Sequence, residues 1–257
     1  MVLELAPKRV GRCDSEMPPT SVGPIRFVVI NDLHHADVAC DPWMEALFRQ
    51  VAKTERANFC FGLGDFADAG QRESLVTIDL LAKLSGLPFY VTPGNHDLEL
   101  SPVDGWFAEV FPGRRNYTFT KNGWQFVVVD TTEGMKYDDV MISPETLAWL
   151  EEKVPTLDQR APTVLATHFP LASEVEFCPL NADQLLQRLT GLNLRGIFSG
   201  HFHGRTSNFR GGVELVTNTC VSRVRHNRDG TNVKGYWVCD GAPTGEITRQ
   251  FVPFNGV

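Results

Sequence analysis

The sequence predicts an α/β fold, with parallel or mixed sheet and helices packed outside it, and three observations carry that prediction. An apolar run, a polar strand end and an amphipathic helix follow one another, and the rhythm recurs three times in succession. The runs Ile25 to Ile30 (IRFVVI) and Asn58 to Leu63 (NFCFGL) are apolar on both alternations, as suits strands covered on both faces. At 257 residues and 42% hydrophobic content, the chain can build one large domain with a sizeable core.

Met1 to Pro24 mixes prolines, charges and small residues and is read as a poorly ordered leader, so the single domain is expected over 25–257. The first strand, from Ile25, ends in Asn31-Asp32-Leu33-His34-His35. Asp41 as N-cap and Pro42 at N1 then open a helix carrying Trp43, Leu47 and Val51 at helical spacing. The second strand runs into Gly64-Asp65-Phe66-Ala67-Asp68. Glu73 to Lys83 is a helix closing near Gly86, and Phe89 to Val91 leads to Gly94-Asn95-His96-Asp97.

Further on, Trp106 to Phe111 is a short amphipathic piece. Asn122-Gly123 between Tyr117-Thr118-Phe119 and Gln125 to Val129 is the strongest short hairpin signal in the chain. Asp130 ends that strand, and its carboxylate suits the N–H groups of the following loop as well as it suits chemistry. Ser143 and Pro144 start another helix. Thr163 to Ala166 delivers Thr167-His168-Phe169-Pro170; a helix from Asn181 to Leu189 follows; and Arg195 to Ser199 delivers Gly200-His201-Phe202-His203-Gly204. From Thr206 to Phe254 only short strands and turns are predicted (Val213 to Val216, Tyr236 to Val238, Ile247 to Phe251), read as antiparallel sheet completing the same domain.

The formal charge of −7 argues against sequence-independent attraction to nucleic acid. The basic groups at Arg114-Arg115 and Arg223 to Arg228 are read as solvated faces. No stretch approaches the roughly 20 apolar residues that span a bilayer, and the leader has no apolar h-region. Six scattered cysteines without a C-x-x-C pair suggest neither a disulfide framework nor a zinc ribbon, and a reducing cytoplasm is expected. Oligomeric state is left open, a homo-oligomer included.

The polar strand ends collect into Asp32-x-His34, Gly64-Asp65-x-x-Asp68, Gly94-Asn95-His96-Asp97, His168, and Gly200-His201-x-His203, and they hold five of the seven histidines. Each taken alone has an ordinary explanation as a loop cap, a satisfied histidine or a polar turn. Together they form a coherent donor set, since imidazoles with carboxylate and amide oxygens suit a first-row transition ion better than calcium or a thiolate-bound metal. If the segments stay extended, alternation aims Asp32 with His34, and His201 with His203, toward one pocket. Seven ligands exceed the need of one open catalytic ion and suggest two ions about 3.5 to 4 Å apart.

This ordered set of five motifs resembles the calcineurin-like metallophosphoesterase superfamily, with the similarity running from about Ile25 to Phe254. The resemblance implies a four-layer α/β/β/α sandwich of two mixed β-sheets. It also implies a dinuclear centre of Mn, Fe or Zn: Asp32, His34, Asp65 and His203 would hold the first ion, and Asp65, Asn95, His168 and His201 the second, with Asp65 bridging. His96, beside the ligand Asn95, would face the substrate and stabilise the transition state or protonate the leaving oxygen. Asp68 would orient His96, and Asp97 would support the site from behind. The implied reaction is in-line attack on phosphorus by a bridging hydroxide.

Within the superfamily the chain is most similar to the class III cyclic nucleotide phosphodiesterases. Those typically carry a double histidine before the proline, where this chain has His168-Phe169. The leading expectation is a phosphodiesterase on a small or cyclic nucleotide-type ester. The alternatives are a phosphomonoesterase or nucleotide pyrophosphatase, and a non-catalytic scaffold, which the presence of His96 disfavours.

Overall fold

The computed structural model describes residues 21–98 and 105–256. In chain order the elements are β1 (Ile25–Ile30), α1 (Asp41–Thr54), β2 (Phe59–Leu63), α2 (Arg72–Ser85), β3 (Phe89–Thr92), α3 (Gly105–Val110), β4 (Tyr117–Lys121) and β5 (Trp124–Val129). They continue with α4 (Pro144–Lys153), β6 (Pro162–Thr167), α5 (Ala182–Arg188), β7 (Asn193–Phe198), β8 (Ser207–Arg210), β9 (Val213–Val216), β10 (Lys234–Gly241) and β11 (Ile247–Phe254).

Two-residue alternation along doubly buried strands creates the layers. Phe27 and Val29 of β1 point inward to join Phe59 and Phe61 of β2 and Trp124 and Phe126 of β5 in a core between two sheets. Val28 and Ile30 point the other way, into a second core with Met44, Leu47 and Val51 of α1 and Leu75 and Ile78 of α2. On the far side Val127 and Val129 meet Leu147 and Leu150 of α4 and Leu185 of α5. The outcome is an α/β/β/α sandwich, each fully buried Phe, Leu or Val contributing roughly 1.5–3 kcal/mol.

The first sheet has the order β11-β10-β1-β2-β3 and the second β4-β5-β6-β7-β9-β8. β1, β2 and β3 are parallel, as are β5, β6, β7 and β9. The strands that deliver the polar ends therefore run parallel within each sheet.

Local chemistry explains several boundaries. Asn122 and Gly123, with φ of 50° and 77°, make the two-residue turn that sets Lys121 opposite Trp124. The Ser143 hydroxyl accepts the Thr146 N–H at 3.1 Å and caps α4. Gly86, with φ of 75°, closes α2. At α1 the expected cap is displaced: Asp37 caps a preceding 3-10 turn (Val38–Cys40), and Asp41 is already helical.

The tail departs from expectation. Instead of one antiparallel sheet it is shared between the two, β10–β11 extending the first and β8–β9 closing the second with β9 parallel to β7. β8 has only Phe209 as an apolar residue and is an edge strand, so no alternation announces it. The expected leader lies outside the described residues except for 21–24. There, the Gly23 N–H donates to the Asn122 carbonyl at 2.8 Å, and the Trp124 indole donates to the Gly23 carbonyl. Among the described residues no helix is long and apolar enough to cross a membrane.

Candidate metal centre

The ends of β1, β2, β3, β6 and β7 converge, and their polar residues form two adjoining clusters. The donor atoms of Asp32, His34, Asp65 and His203 lie within 4.8 Å of one another, as do those of Asp65, His168 and His201. Asp65 belongs to both. Its Oδ2 is 3.5 Å from His34 Nε2 and its Oδ1 3.5 Å from His168 Nε2. Asn95 Oδ1 joins the second cluster at 3.3 Å from His168 Nε2.

The backbone route to this convergence corrects one expectation. Asp32, His34, Asp65, His201 and His203 are not extended; all have φ between 46° and 63°. Side chains two apart are thus aimed by left-handed turns rather than by strand alternation. Such a conformation costs a non-glycine residue roughly 1 kcal/mol, and the interlaced loops hold it in place. The Asp32 N–H donates to the Gly64 carbonyl at 3.0 Å, the His34 N–H to the Asp65 carbonyl at 2.8 Å, and the Gly200 N–H to the His168 carbonyl at 2.9 Å. Gly64 has to be glycine, because with φ at 83° a Cβ there would lie 2.5 Å from both His168 Nδ1 and the Gly94 nitrogen.

Second partners of the imidazoles fix which nitrogen faces the centre. His168 Nδ1–H donates to the Leu63 carbonyl at 2.7 Å, leaving Nε2 bare; His201 Nε2–H donates to the Tyr137 carbonyl at 2.9 Å, leaving Nδ1 bare. Those two bare nitrogens face each other at 3.1 Å. In the first cluster His203 Nδ1–H donates to the His226 carbonyl at 3.1 Å, while His34 Nδ1 lies 3.3 Å from Asp68 Oδ1, short of full hydrogen-bond alignment. The opposite nitrogens of these rings are 3.2 Å apart. Facing lone pairs, with carboxylate and amide oxygens pointing at the same space, repel unless a cation or a proton lies among them. The donor set fits a divalent transition ion at each cluster.

Charge follows the same geometry. Burial raises the Asp32 and Asp65 carboxyls, but His203 beside Asp32, and His168 and His34 beside Asp65, outweigh it and hold both below the usual range. Burial and the nearby His168 lower His201 to about 3, so it is neutral at pH 7. Burial also disfavours charge on His203, yet Asp32 and Cys220 overcome it and raise that imidazole to about 11. A metal entering the first cluster must therefore displace a proton, whereas His201 has none to give up. The apparent Kd for Mn2+ at the first cluster is expected to rise about tenfold for each unit of pH lowered between 8 and 6. Calorimetric titration across that window measures it, and a flat profile would show that no proton leaves.

The remaining expected site residues have distinct places. Asp97 is buried and accepts the Phe66, Ala67 and Gly94 N–H groups at 2.7, 2.9 and 2.9 Å. Burial and the neighbouring Asp65 raise its carboxyl, against the pull of those three donors. Asp68 meets His96, but through its peptide oxygen, which accepts His96 Nδ1–H at 2.6 Å. Its carboxylate accepts Arg225 Nε–H at 2.6 Å and, with His34 and Arg225 beside it, lies well below its ordinary range. The His96 ring stands edge-on to His34 at 4.8 Å, and the His96 N–H donates to Asp65 Oδ1 at 2.9 Å.

Several neighbours had no signal, or a misleading one. The carbonyls of Leu63, Tyr137 and His226 carry no residue-type information. Arg225 sits in the stretch read as a solvated face, yet its side chain is only 40% exposed and is paired with Asp68. Phe169 is buried with its ring 4.0 Å from that of His201. Asp130 holds the loop, accepting the Thr132 N–H at 2.9 Å, and pairs with Arg115 at 3.2 Å. His35 is structural, bonded to Ser74 and Asp41 at 2.9 and 2.7 Å.

Two packed sheets with carboxylates and imidazoles gathered at their strand ends define an α/β protein with a candidate metal centre. The calcineurin-like phosphoesterase family model matches residues 25–205, and the chain belongs to that family, one of dinuclear-metal enzymes. A probable cyclic nucleotide phosphodiesterase of Fibrobacter succinogenes is 27% identical over 149 residues, spanning 54% of this chain and 55% of that protein. The match thus spans about half the length of this curated relative. In fold the chain is similar to a dimetal phosphatase from Danio rerio, with a TM-score of 0.69 at 14% identity over 91% of this chain and 96% of that one. It is also similar to GAP50, the anchor in the inner membrane complex of Plasmodium, with a TM-score of 0.63 at 16% identity over 90% and 85% of the two chains.

Proposed function

We propose that the chain is a dinuclear-metal phosphodiesterase acting on small or cyclic nucleotide-type esters. The observation that carries the reading is the facing of ring nitrogens within each cluster, His34 Nε2 and His203 Nε2 at 3.2 Å and the bare His168 Nε2 and His201 Nδ1 at 3.1 Å, with the Asp65 oxygens beside both pairs. In this reading Asp32, His34, Asp65 and His203 hold one ion and Asp65, Asn95, His168 and His201 the other, drawn from Mn, Fe or Zn. When bound, two such ions supply the charge that activates water near neutral pH and polarises the phosphoryl group.

The chain's own residues then have separate tasks. With Nδ1–H committed to the Asp68 carbonyl, His96 has Nε2 left for the substrate, where it stabilises the transition state or protonates the leaving oxygen. The peptide oxygen of Asp68 orients that ring. Asp97 fixes the loops carrying Asp65 and Asn95 by accepting N–H groups from both. Asn95, whose Oδ1 lies 3.3 Å from His168 Nε2, would help hold the second ion and would also contact the substrate.

The likeness to a probable cyclic nucleotide phosphodiesterase supports a diester. Phe169, standing against His201 where the typical diesterase group has a second histidine, favours the second reading, a phosphomonoesterase or nucleotide pyrophosphatase. Assays of the Mn-loaded protein on bis(p-nitrophenyl) phosphate and p-nitrophenyl phosphate separate the two. We expect the diester to be preferred at least about tenfold in kcat/KM, a margin of about 1.4 kcal/mol; preference for the monoester refutes the diesterase reading. The unpaired state of the described cysteines supports a reducing, cytoplasmic setting.

A further inference from the structure

We propose that Arg225 is a substrate-binding residue that grips the phosphoryl oxygens of the ester beside the first metal cluster, an inference resting on the hydrolase reading above. The loop after β9 brings it there. Arg225 Nε–H donates to Asp68 Oδ1 at 2.6 Å, and that same oxygen is 3.3 Å from His34 Nδ1, so a single carboxylate oxygen separates the guanidinium from a candidate ligand. The peptide oxygen of the same aspartate holds His96. One residue thereby hydrogen-bonds both the substrate-facing imidazole and the arginine while lying against a candidate ligand.

The arginine is held at its backbone as well. Its N–H donates to the hydroxyl of Ser222, which is fully buried, at 3.0 Å, and its carbonyl accepts from Lys234 Nζ at 2.6 Å. Only Nε of the guanidinium is engaged; among the described residues no hydrogen-bond partner faces its two terminal nitrogens, and the side chain is 40% exposed. A planar fork with one edge anchored and the other open is the geometry that receives two oxygens of a phosphate. A guanidinium beside a dication site is electrostatically costly, and Asp68 offsets only part of that charge. An anionic substrate would offset the rest. Arg223 and Arg228 on the same loop are exposed and add positive potential on a chain of net charge −7.

The test uses the Mn-loaded full chain, with inorganic phosphate as probe, in calorimetric binding measurements on wild type, Arg225→Gln and Arg225→Lys, with metal content and thermal unfolding followed for each. Arg225→Gln is expected to raise the phosphate Kd about tenfold to a hundredfold with two ions retained, and Arg225→Lys to recover part of the loss. KM for the ester should rise more than kcat falls. An unchanged phosphate Kd in a fully metallated Arg225→Gln protein overturns the proposal. So does loss of metal in step with loss of phosphate, which would make Arg225 a support for His34 through Asp68. Wild type that takes up no metal and hydrolyses no ester would instead overturn the hydrolase reading, and this proposal with it.

Discussion

Asp65→Ala is expected to empty both metal positions at once. Asp65 is the residue whose two carboxylate oxygens are divided between the clusters, one 3.5 Å from His34 Nε2 and the other 3.5 Å from His168 Nε2. Metal binding of about 10–16 kcal/mol spread over about four ligands gives roughly 3 kcal/mol per ligand, about a hundredfold in affinity at each position. Removal of the carboxylate also leaves the facing imidazole nitrogens without the negative charge that draws a cation between them. Asp32→Ala is the contrasting case, since Asp32 lies only in the first cluster and its loss should weaken one ion. Metal analysis after dialysis decides the matter. One ion kept at full affinity in the Asp65 variant would show that the carboxylate does not bridge.

His96→Ala is expected to lower kcat about a thousandfold, within the range for loss of a positioned proton donor, with metal content near that of wild type. Metal should stay because the contact between this residue and the Asp65 carboxylate is made by its backbone, the His96 N–H donating to Asp65 Oδ1, and alanine keeps it. The structure adds a second comparison. His96 is oriented by the Asp68 peptide oxygen, so Asp68→Asn leaves that bond intact and removes only the charge facing His34 and Arg225. Asp68→Asn should therefore cost kcat much less than His96→Ala does and should act mainly on KM. Equal losses of kcat in the two variants would mean that the carboxylate, not the carbonyl, governs His96. Loss of metal in His96→Ala would make the histidine a ligand.

The sequence by itself determined the candidate donor set and the need for helices outside doubly covered strands, while the order of layers came only with the family resemblance. Residue type carries coordination chemistry directly: Asp32, His34, Asp65, Asn95, His168, His201 and His203 can be collected from the chain because each ends a predicted strand, and all come together in the fold. Doubly apolar strands such as β1 and β2 require cover on both faces, and Asn122-Gly123, Ser143 and Gly86 mark turns and caps because their local physics depends on few neighbours.

Only the tertiary structure decided which atoms face which. Left-handed turns at Asp32, His34, Asp65, His201 and His203 replace strand alternation, because they are imposed by hydrogen bonds between loops far apart in the chain. The carbonyls of Leu63, Tyr137 and His226 select the imidazole nitrogens, and every residue type has a carbonyl, so composition cannot point to them. Asp68 meets His96 by its backbone and Arg225 by its carboxylate for the same reason. A sequence names the groups a residue offers, whereas the packing of distant loops determines which group is within reach.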